Sequence, residues 1–327
     1  MGDTVPEMGL DWRAGWPLLA ELGVAGFCVP EARGGYGFEV AAAIVASREF
    51  GGALHGSPYA GLIASVHVLA GSDVNAPAEL VDGILAGERI CALGILNSAA
   101  DESGGDGITG IASLVDGAAT ADALLLIAPS SLDALLVAEP TAWAVEPILP
   151  TFDVSRSCGE VRLDHVPALR CSGGASALPL YRLLLAADTL GGVERMLDRT
   201  VLYVRDRQAF GRPIGAFQVV QHRLVDHAVR TRAMSLSVAE AARRLRDGNP
   251  RAAREVALAE LAVSSEATHV LHDLVQLTGA IGFTWEHGLH LYERRAHHNA
   301  RLGRNPRSAA RSLAGFEGWS GRRNHEH

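Results

Sequence analysis

Apolar residues recur at helical spacing over most of the chain, and the exceptions gather in one block. Residues 12–87 read as helices with Ala/Gly-rich joints. Trp16, Leu19, Leu22 and Val24 keep a helical period, and residues 40–50 form a long apolar helix. A second helix runs from Pro58 to about Leu69, with Ser57 as its N-cap and Pro58 suited to its first position. From about 88 to 170 the period changes. Short β-prone runs at 90–96, 123–127, 134–138 and 159–163, separated by Gly, Asp and Ser, predict a small antiparallel β domain. Residues 97–107 read as a polar, Gly-rich loop. From 176 to 320 helical segments return, broken at 211–215, 248–250, 279–282 and 303–306. Val256, Leu258, Ala259 and Ala262, then Val270, Leu271, Leu274 and Val275, mark their apolar stripes. Short joints favour antiparallel neighbours, hence a four-helix bundle. The expected fold is mostly α with a small β domain, in three parts: a helical domain at 1–87, a β-barrel or sandwich at 88–170 and a helical bundle at 176–320. Residues 318–327 are polar and expected to fray.

One stretch, residues 203–226, organises the second half. Leu197, Val201 and Val204 carry one helix toward it, and Phe217, Val220, Leu224 and Ala228 start the next. Between them Pro213 lacks an amide hydrogen and disfavours helix at Arg212, so the chain must turn. The turn sets Arg207 beside fresh helix N-terminal amides, a natural seat for a phosphate or pyrophosphate. On spacing alone, an αα-corner with surface arginines explains the same pattern.

Composition narrows the chemistry. With 327 residues, 48% of them hydrophobic, the chain can build two or three cores. It has no run of about 18 apolar residues, so no transmembrane span is expected, and the acidic N-terminus lacks a signal-peptide pattern. A formal charge of -8 argues against a nucleic-acid binder. All 29 basic residues are arginine, which excludes a Schiff-base lysine and a P-loop lysine. Cys28, Cys91, Cys158 and Cys171 show no C-x-x-C spacing and read as reduced, mostly buried thiols of a cytoplasmic protein. Trp285-Glu286-His287-Gly288-Leu289-His290 is not H-E-x-x-H, so zinc is not expected.

Arg207-Gln208-Ala209-Phe210-Gly211, with Pro213-Ile214, Phe217-Gln218 and Gln221, resembles the R-x-x-F-G-x-x-I-x-x-F-Q-x-x-Q signature of the acyl-CoA dehydrogenase family. Residues 276–284, QLTGAIGFT, resemble the family's Q-x-x-G-G-x-G-Y/F-x segment. Residues 29–37 resemble its V-P-E-x-x-G-G-x-G turn, where the glycines serve tight turns. The resemblance implies a helix–β–helix architecture, FAD as cofactor and an acyl-CoA thioester as substrate. It implies that Arg207, Phe210, Gln218, Gln276 and Gly279 touch the FAD of a neighbouring chain. It also implies an electron-transfer flavoprotein or similar acceptor. The chain reads as beginning inside the family's N-terminal domain, without the first helices that wall the acyl pocket.

Other family features are missing. The T-E-P-x-A-G-S-D flavin loop is replaced by the polar loop at 97–107, and the W-x-S/T-N strand is not visible. Family members draw the α-proton with a glutamate from one of two places. One falls at Gly303, after a helix expected at 285–300. The other falls at Tyr181, and tyrosine, with an unperturbed pKa near ~10, is a poor base. Asp188, two turns beyond Tyr181, is a weak substitute that reads more simply as a solvated or capping aspartate. His297 and His298, near Arg294, Arg295 and Arg301, read as a polar surface face. The features serving a neighbour's FAD are kept while those serving the chain's own FAD and base are lost. This pattern resembles the shorter, base-lacking member of unequal pairs, two of each chain, among actinobacterial acyl-CoA dehydrogenases acting on steroid CoA thioesters. A full-length partner chain is therefore expected. A homomeric enzyme with a non-standard base and a non-catalytic scaffold subunit are the competing expectations.

Overall fold

The computed structural model describes residues 12–72, 78–98, 107–129, 131–148, 152–303 and 306–319. Most of the 97–107 loop lies outside them. The helices are α1 (Trp12–Glu21), α2 (Val40–Gly52), α3 (Tyr59–Gly71), α4 (Ala78–Leu85), α5 (Gly174–Asp206), α6 (Gln218–Arg246), α7 (Ala252–Thr278), α8 (Leu289–Leu302) and α9 (Pro306–Phe316). The strands are β1 (Cys91–Ile95), β2 (Gly107–Asp116), β3 (Ala123–Ile127), β4 (Ala134–Val137), β5 (Ala144–Pro147), β6 (Cys158–Pro167) and β7 (Leu169–Cys171), with a two-residue pair, β8 (Gln208–Ala209) and β9 (Arg212–Pro213). The chain divides into two compact units. Among the described residues one holds 47–54 and 185 onward, and the other holds 12–46 and 55–184.

In the second of these units, β1, β3, β4 and β7 form one sheet and β2, β6 and β5 another. Their facing side chains share one core, including Ala92, Ile108, Val115, Leu124, Leu126, Val137 and Val161. The arrangement is a sandwich of two sheets, with no closed barrel among the described residues. The expectation of a purely antiparallel domain needs correction, because β1 and β3 pair in parallel. Both strands are almost entirely buried. Parallel strands covered on both faces read as continuous apolar runs, not alternating ones. The cover on β1 is α3, which is buried all round, as helices apolar on every side must be. Ser57 does not cap α3. Its hydroxyl meets His55, and its carbonyl accepts from Arg156, whose guanidinium also pairs with Asp116 in the interior. The four cysteines are unbridged and buried, and burial pushes Cys28 and Cys91 up to about 12.

In the other unit α7 is central, packing against α6, α8 and α9. Its stripe runs Val256, Ala259, Val263, Ala267, Val270, Leu271 and Leu274. Leu258, assigned to that stripe from sequence, is exposed, and Glu260 is buried in it. The helix expected at 285–300 begins at Leu289. The end of α2 crosses α5 at two glycines. A Cβ on Gly51 would lie 1.8 Å from the Asp188 carbonyl oxygen, and one on Gly191 would lie 1.9 Å from that of Arg48. Beside the crossing Arg48 grips Glu194 through two guanidinium nitrogens at 2.7–3.1 Å.

No backbone relaxation accommodates a methyl group at such distances without separating the helices. Gly191→Ala is expected to destabilise the protein by about 3 kcal/mol. Gly71→Ala, where a Cβ would meet open space, should be neutral or slightly stabilising. Paired thermal melts check this, and equal melting temperatures for the two variants would refute the close crossing.

Candidate functional site

The corner between α5 and α6 is a hairpin. Gln208 pairs with Pro213 and Ala209 with Arg212, which leaves Phe210-Gly211 as a two-residue loop. Both loop residues have positive φ, +53° and +78°. That is the geometry in which such a loop follows the strand twist, and it ordinarily selects Asn-Gly or Asp-Gly. A phenylalanine there is strained. Its ring is 95% exposed. It meets Phe217 edge-on at 6.2 Å, and the Arg212 guanidinium lies over the Phe217 ring, 4.1 Å from its centroid. The Ile214 amide donates to the Arg207 carbonyl at 2.8 Å, and the Gln221 side chain donates to the Gly215 carbonyl at 3.0 Å. Gln221 thus pins the turn from within. α6 begins without a side-chain cap, so its first amides remain open to an acceptor.

The far end of α7 arrives at the same place. α6 and α7 run antiparallel, tied by Arg223 and His227 to Asp273 and by Arg230 to Glu266. Continuing that register brings Gln218 level with Thr278. Gln218, Gln276 and Gly279 therefore share one end of the helix pair with the hairpin that carries Arg207 and Phe210. All five are exposed. Gly279 adopts φ 67°, ψ -143°, a region open essentially to glycine alone, and its Cα faces open space. Gly282 is instead a packing glycine, since a Cβ there would lie 2.3 Å from Thr278 Oγ1. Ile281, Phe283 and Trp285 follow, all exposed.

The base candidates lie elsewhere. Tyr181 is buried, and burial, then Asp116 and Cys158, drives its phenol far above the usual range. It is a neutral hydroxyl. Asp188 is neither solvated nor a cap, as its simpler reading held. It is 3% exposed and accepts from Asn299 at 2.6 Å and from Arg295 at 3.3 Å. Asn299 also donates to Thr189. The supposed polar surface face of α8 likewise needs correction: Arg295 and His298 are buried, while His297 and Arg301 face outward. Helical phase explains the error, because Tyr292, Arg295, Ala296 and Asn299 share the inward side of α8. Gly303, the C-cap of α8, is buried against Glu260.

Residues 175–303 match the family model for the acyl-CoA dehydrogenase C-terminal domain. The acyl-CoA dehydrogenase IpdE2 of Mycobacterium tuberculosis is 33% identical over 91% of this chain and 85% of its own length. This chain belongs to the acyl-CoA dehydrogenase family. Among solved structures, the ChsE4-ChsE5 complex from Mycobacterium tuberculosis aligns with a TM-score of 0.81 and 26% identity, covering 94% of this chain and 88% of that one. PigA with FAD and proline shares the fold, with a TM-score of 0.84 at 20% identity over 94% of this chain and 90% of its own. An acyl-CoA dehydrogenase fold thus carries a corner whose motif residues all reach the surface.

Asp273 holds that corner's two helices in register. Burial would raise its carboxyl, but hydrogen bonds from Arg223 and His227 outweigh burial and hold it below the ordinary 3.8. A depressed carboxyl contributes stability above its unfolded pKa, and that stability is lost as pH falls through the folded value. Asp273→Asn should therefore melt earlier than wild type at pH 7, with the gap closing in strong acid. A gap that stays constant down to pH 2 would contradict this role.

Proposed function

We propose that this protein is a subunit of an FAD-dependent acyl-CoA dehydrogenase, completing the FAD site of a full-length partner chain in an assembly of two of each. The observation that carries the reading is Phe210, an aromatic ring held outside the chain in a strained conformation with nothing of its own unit covering it. Strain of this kind persists where it has a use. The residues fit a dinucleotide. Arg207 and the uncapped start of α6 offer charge and amides to a pyrophosphate. Phe210 offers a face to stack on, and Gly279 lets backbone approach closely. When bound, FAD supplies the acceptor for the hydride leaving the β-carbon. Exposed Ile281, Phe283 and Trp285 beside the corner suit contact with another chain. The ChsE4-ChsE5 relative is named as a complex, which supports unequal partners.

Neither family base position holds a carboxylate of its own, since Gly303 and Tyr181 stand there. The partner then provides proton abstraction at the site this corner completes. An acyl-CoA is the proposed substrate, with a steroid side-chain CoA as the candidate to try first, and an electron-transfer flavoprotein or similar acceptor is the proposed electron partner. The four unbridged, buried thiols are in keeping with a cytoplasmic location. No helix among the described residues is long and apolar enough to cross a membrane.

The test uses the purified assembly. Arg207→Ala should lower flavin bound per chain, with affinity down roughly tenfold to a hundredfold for a lost charge-assisted hydrogen bond. Phe210→Gly should raise the stability of this chain by up to about 1 kcal/mol by relieving φ, and still lower flavin content. Flavin unchanged in both variants would favour the scaffold reading.

A further inference from the structure

α6 carries two seams with the same spacing. His227, Thr231, Met234 and Val238, at steps of four, three and four, are buried on the side that meets α7. Val225, Val229, Arg232 and Leu236 repeat those steps two residues out of phase, which turns them to the opposite side of the helix. The apolar members of this second seam are bare: Val225 is 60%, Val229 64% and Leu236 54% exposed. Ala233 and Ala239, both exposed, flank it and leave room for a close helix. One exposed valine is ordinary, but a row of apolar side chains along one helix face marks a contact surface. Asp226 and Arg232 lie three residues to either side of Val229. Both are exposed, and neither has an ion-pair partner among the described residues. The whole seam belongs to one compact unit.

We propose that the bare seam of α6 docks on its own counterpart in a second copy of this chain, the two helices antiparallel about a two-fold axis at Val229. The order of residues complements itself in that arrangement. Val229 meets Val229, Val225 meets the second copy's Ala233, and Asp226 comes level with the second copy's Arg232. The contact is isologous, so each of the last two pairings occurs twice. A parallel arrangement sets Asp226 against Asp226 and Arg232 against Arg232, and like charges facing each other are costly. The inference rests on the two-of-each reading, which calls for a second copy, and supplies the contact that joins the two. Gln218, at the corner end of α6, lies about 16 Å along the helix from Val229 at 1.5 Å per residue. The two corners then stand about 33 Å apart, at opposite ends of the helix pair. Each serves a different full-length partner.

The experiment counts copies of this chain in the purified assembly by native mass spectrometry, with flavin absorbance recorded in parallel. Val229→Glu should part the two copies, with affinity between them down roughly a hundredfold for a charge at the centre of the contact, and flavin per chain unchanged. Asp226→Arg and Arg232→Asp should each weaken the contact roughly tenfold, because like charges then face each other twice. The double variant Asp226→Arg/Arg232→Asp should restore it. Under mild oxidation Val229→Cys should yield a disulfide-linked pair of this chain. Val219→Cys, 65% exposed but about 30 Å from its counterpart in this register, should not. A Val229→Glu assembly that keeps both copies together overturns the proposal, as does Val229→Cys that cross-links no better than Val219→Cys. A double charge variant as weak as the single ones overturns it too, and makes the occupant a different chain. Wild-type protein that pairs through Val229 but takes up neither flavin nor a full-length partner would instead sink the dehydrogenase-subunit reading and leave this contact standing, which separates the two failures.

Discussion

A carboxylate and a guanidinium sealed from water decide where α8 lies. Asp188 on α5 meets Arg295 and Asn299 on α8, and Arg295 also donates to the Leu54 carbonyl. Both charged partners are at most 3% exposed. Such a pair adds little net stability over a well-packed apolar substitute, but removing one partner strands a buried charge at a cost of about 3–5 kcal/mol. Its value is therefore positional. Only one rotation of α8 about its axis brings Arg295 and Asn299 to Asp188. That same rotation points Tyr292 at the Gly52 carbonyl, 2.9 Å away. It also fixes the direction in which Gly303 opens, toward Glu260.

The glycine crossing at Gly51 and Gly191 is the steric half of the same constraint. Helices that touch at backbone carbonyls leave no room for slippage, and the Arg48–Glu194 fork sets their register from outside. The sandwich unit uses a parallel device. There Arg156 meets Asp116 and the Ser57 carbonyl in the interior, and the Cys158 thiol turns toward Asp116. Among the described residues each unit thus buries a guanidinium–carboxylate pair whose geometry specifies an arrangement more than it stabilises one.

The helices and their breaks were legible because apolar period and Gly/Pro punctuation are local signals. Breaks at 211–215, 248–250 and 279–282 fall between observed α-helices, and the one expected at 303–306 runs from the C-cap of α8 to the first residue of α9, with 304–305 outside the described residues. The sandwich was only partly legible. β2, rich in Gly, Thr and Ser, carries a weak alternation, and the parallel β1–β3 pairing depends on what covers the sheet. The corner was legible through its motif, but its strain was not, since φ at Phe210 follows from hairpin register. The buried polar groups were misread. Asp188, Arg295 and His298 look like surface residues by type, and only partners more than a hundred positions away in sequence explain Asp188 and Arg295. Glu260 was the one acid in phase with the α7 stripe, and that phase was the available clue.

The corner and the α8 terminus make opposite uses of cost. At the corner, a phenylalanine in left-handed geometry gives up about 1–2 kcal/mol. Its edge contact with Phe217 returns about 0.5–1.5 kcal/mol at best. Burial returns almost nothing, because the ring is 95% exposed. Glycine would serve the hairpin better in this chain alone, and it is this imbalance that the proposed FAD contact would offset. At Gly303 the backbone is relaxed and the missing side chain leaves room for a buried acid. One place spends stability to present a group outward, and the other gives up a side chain to admit a group from within.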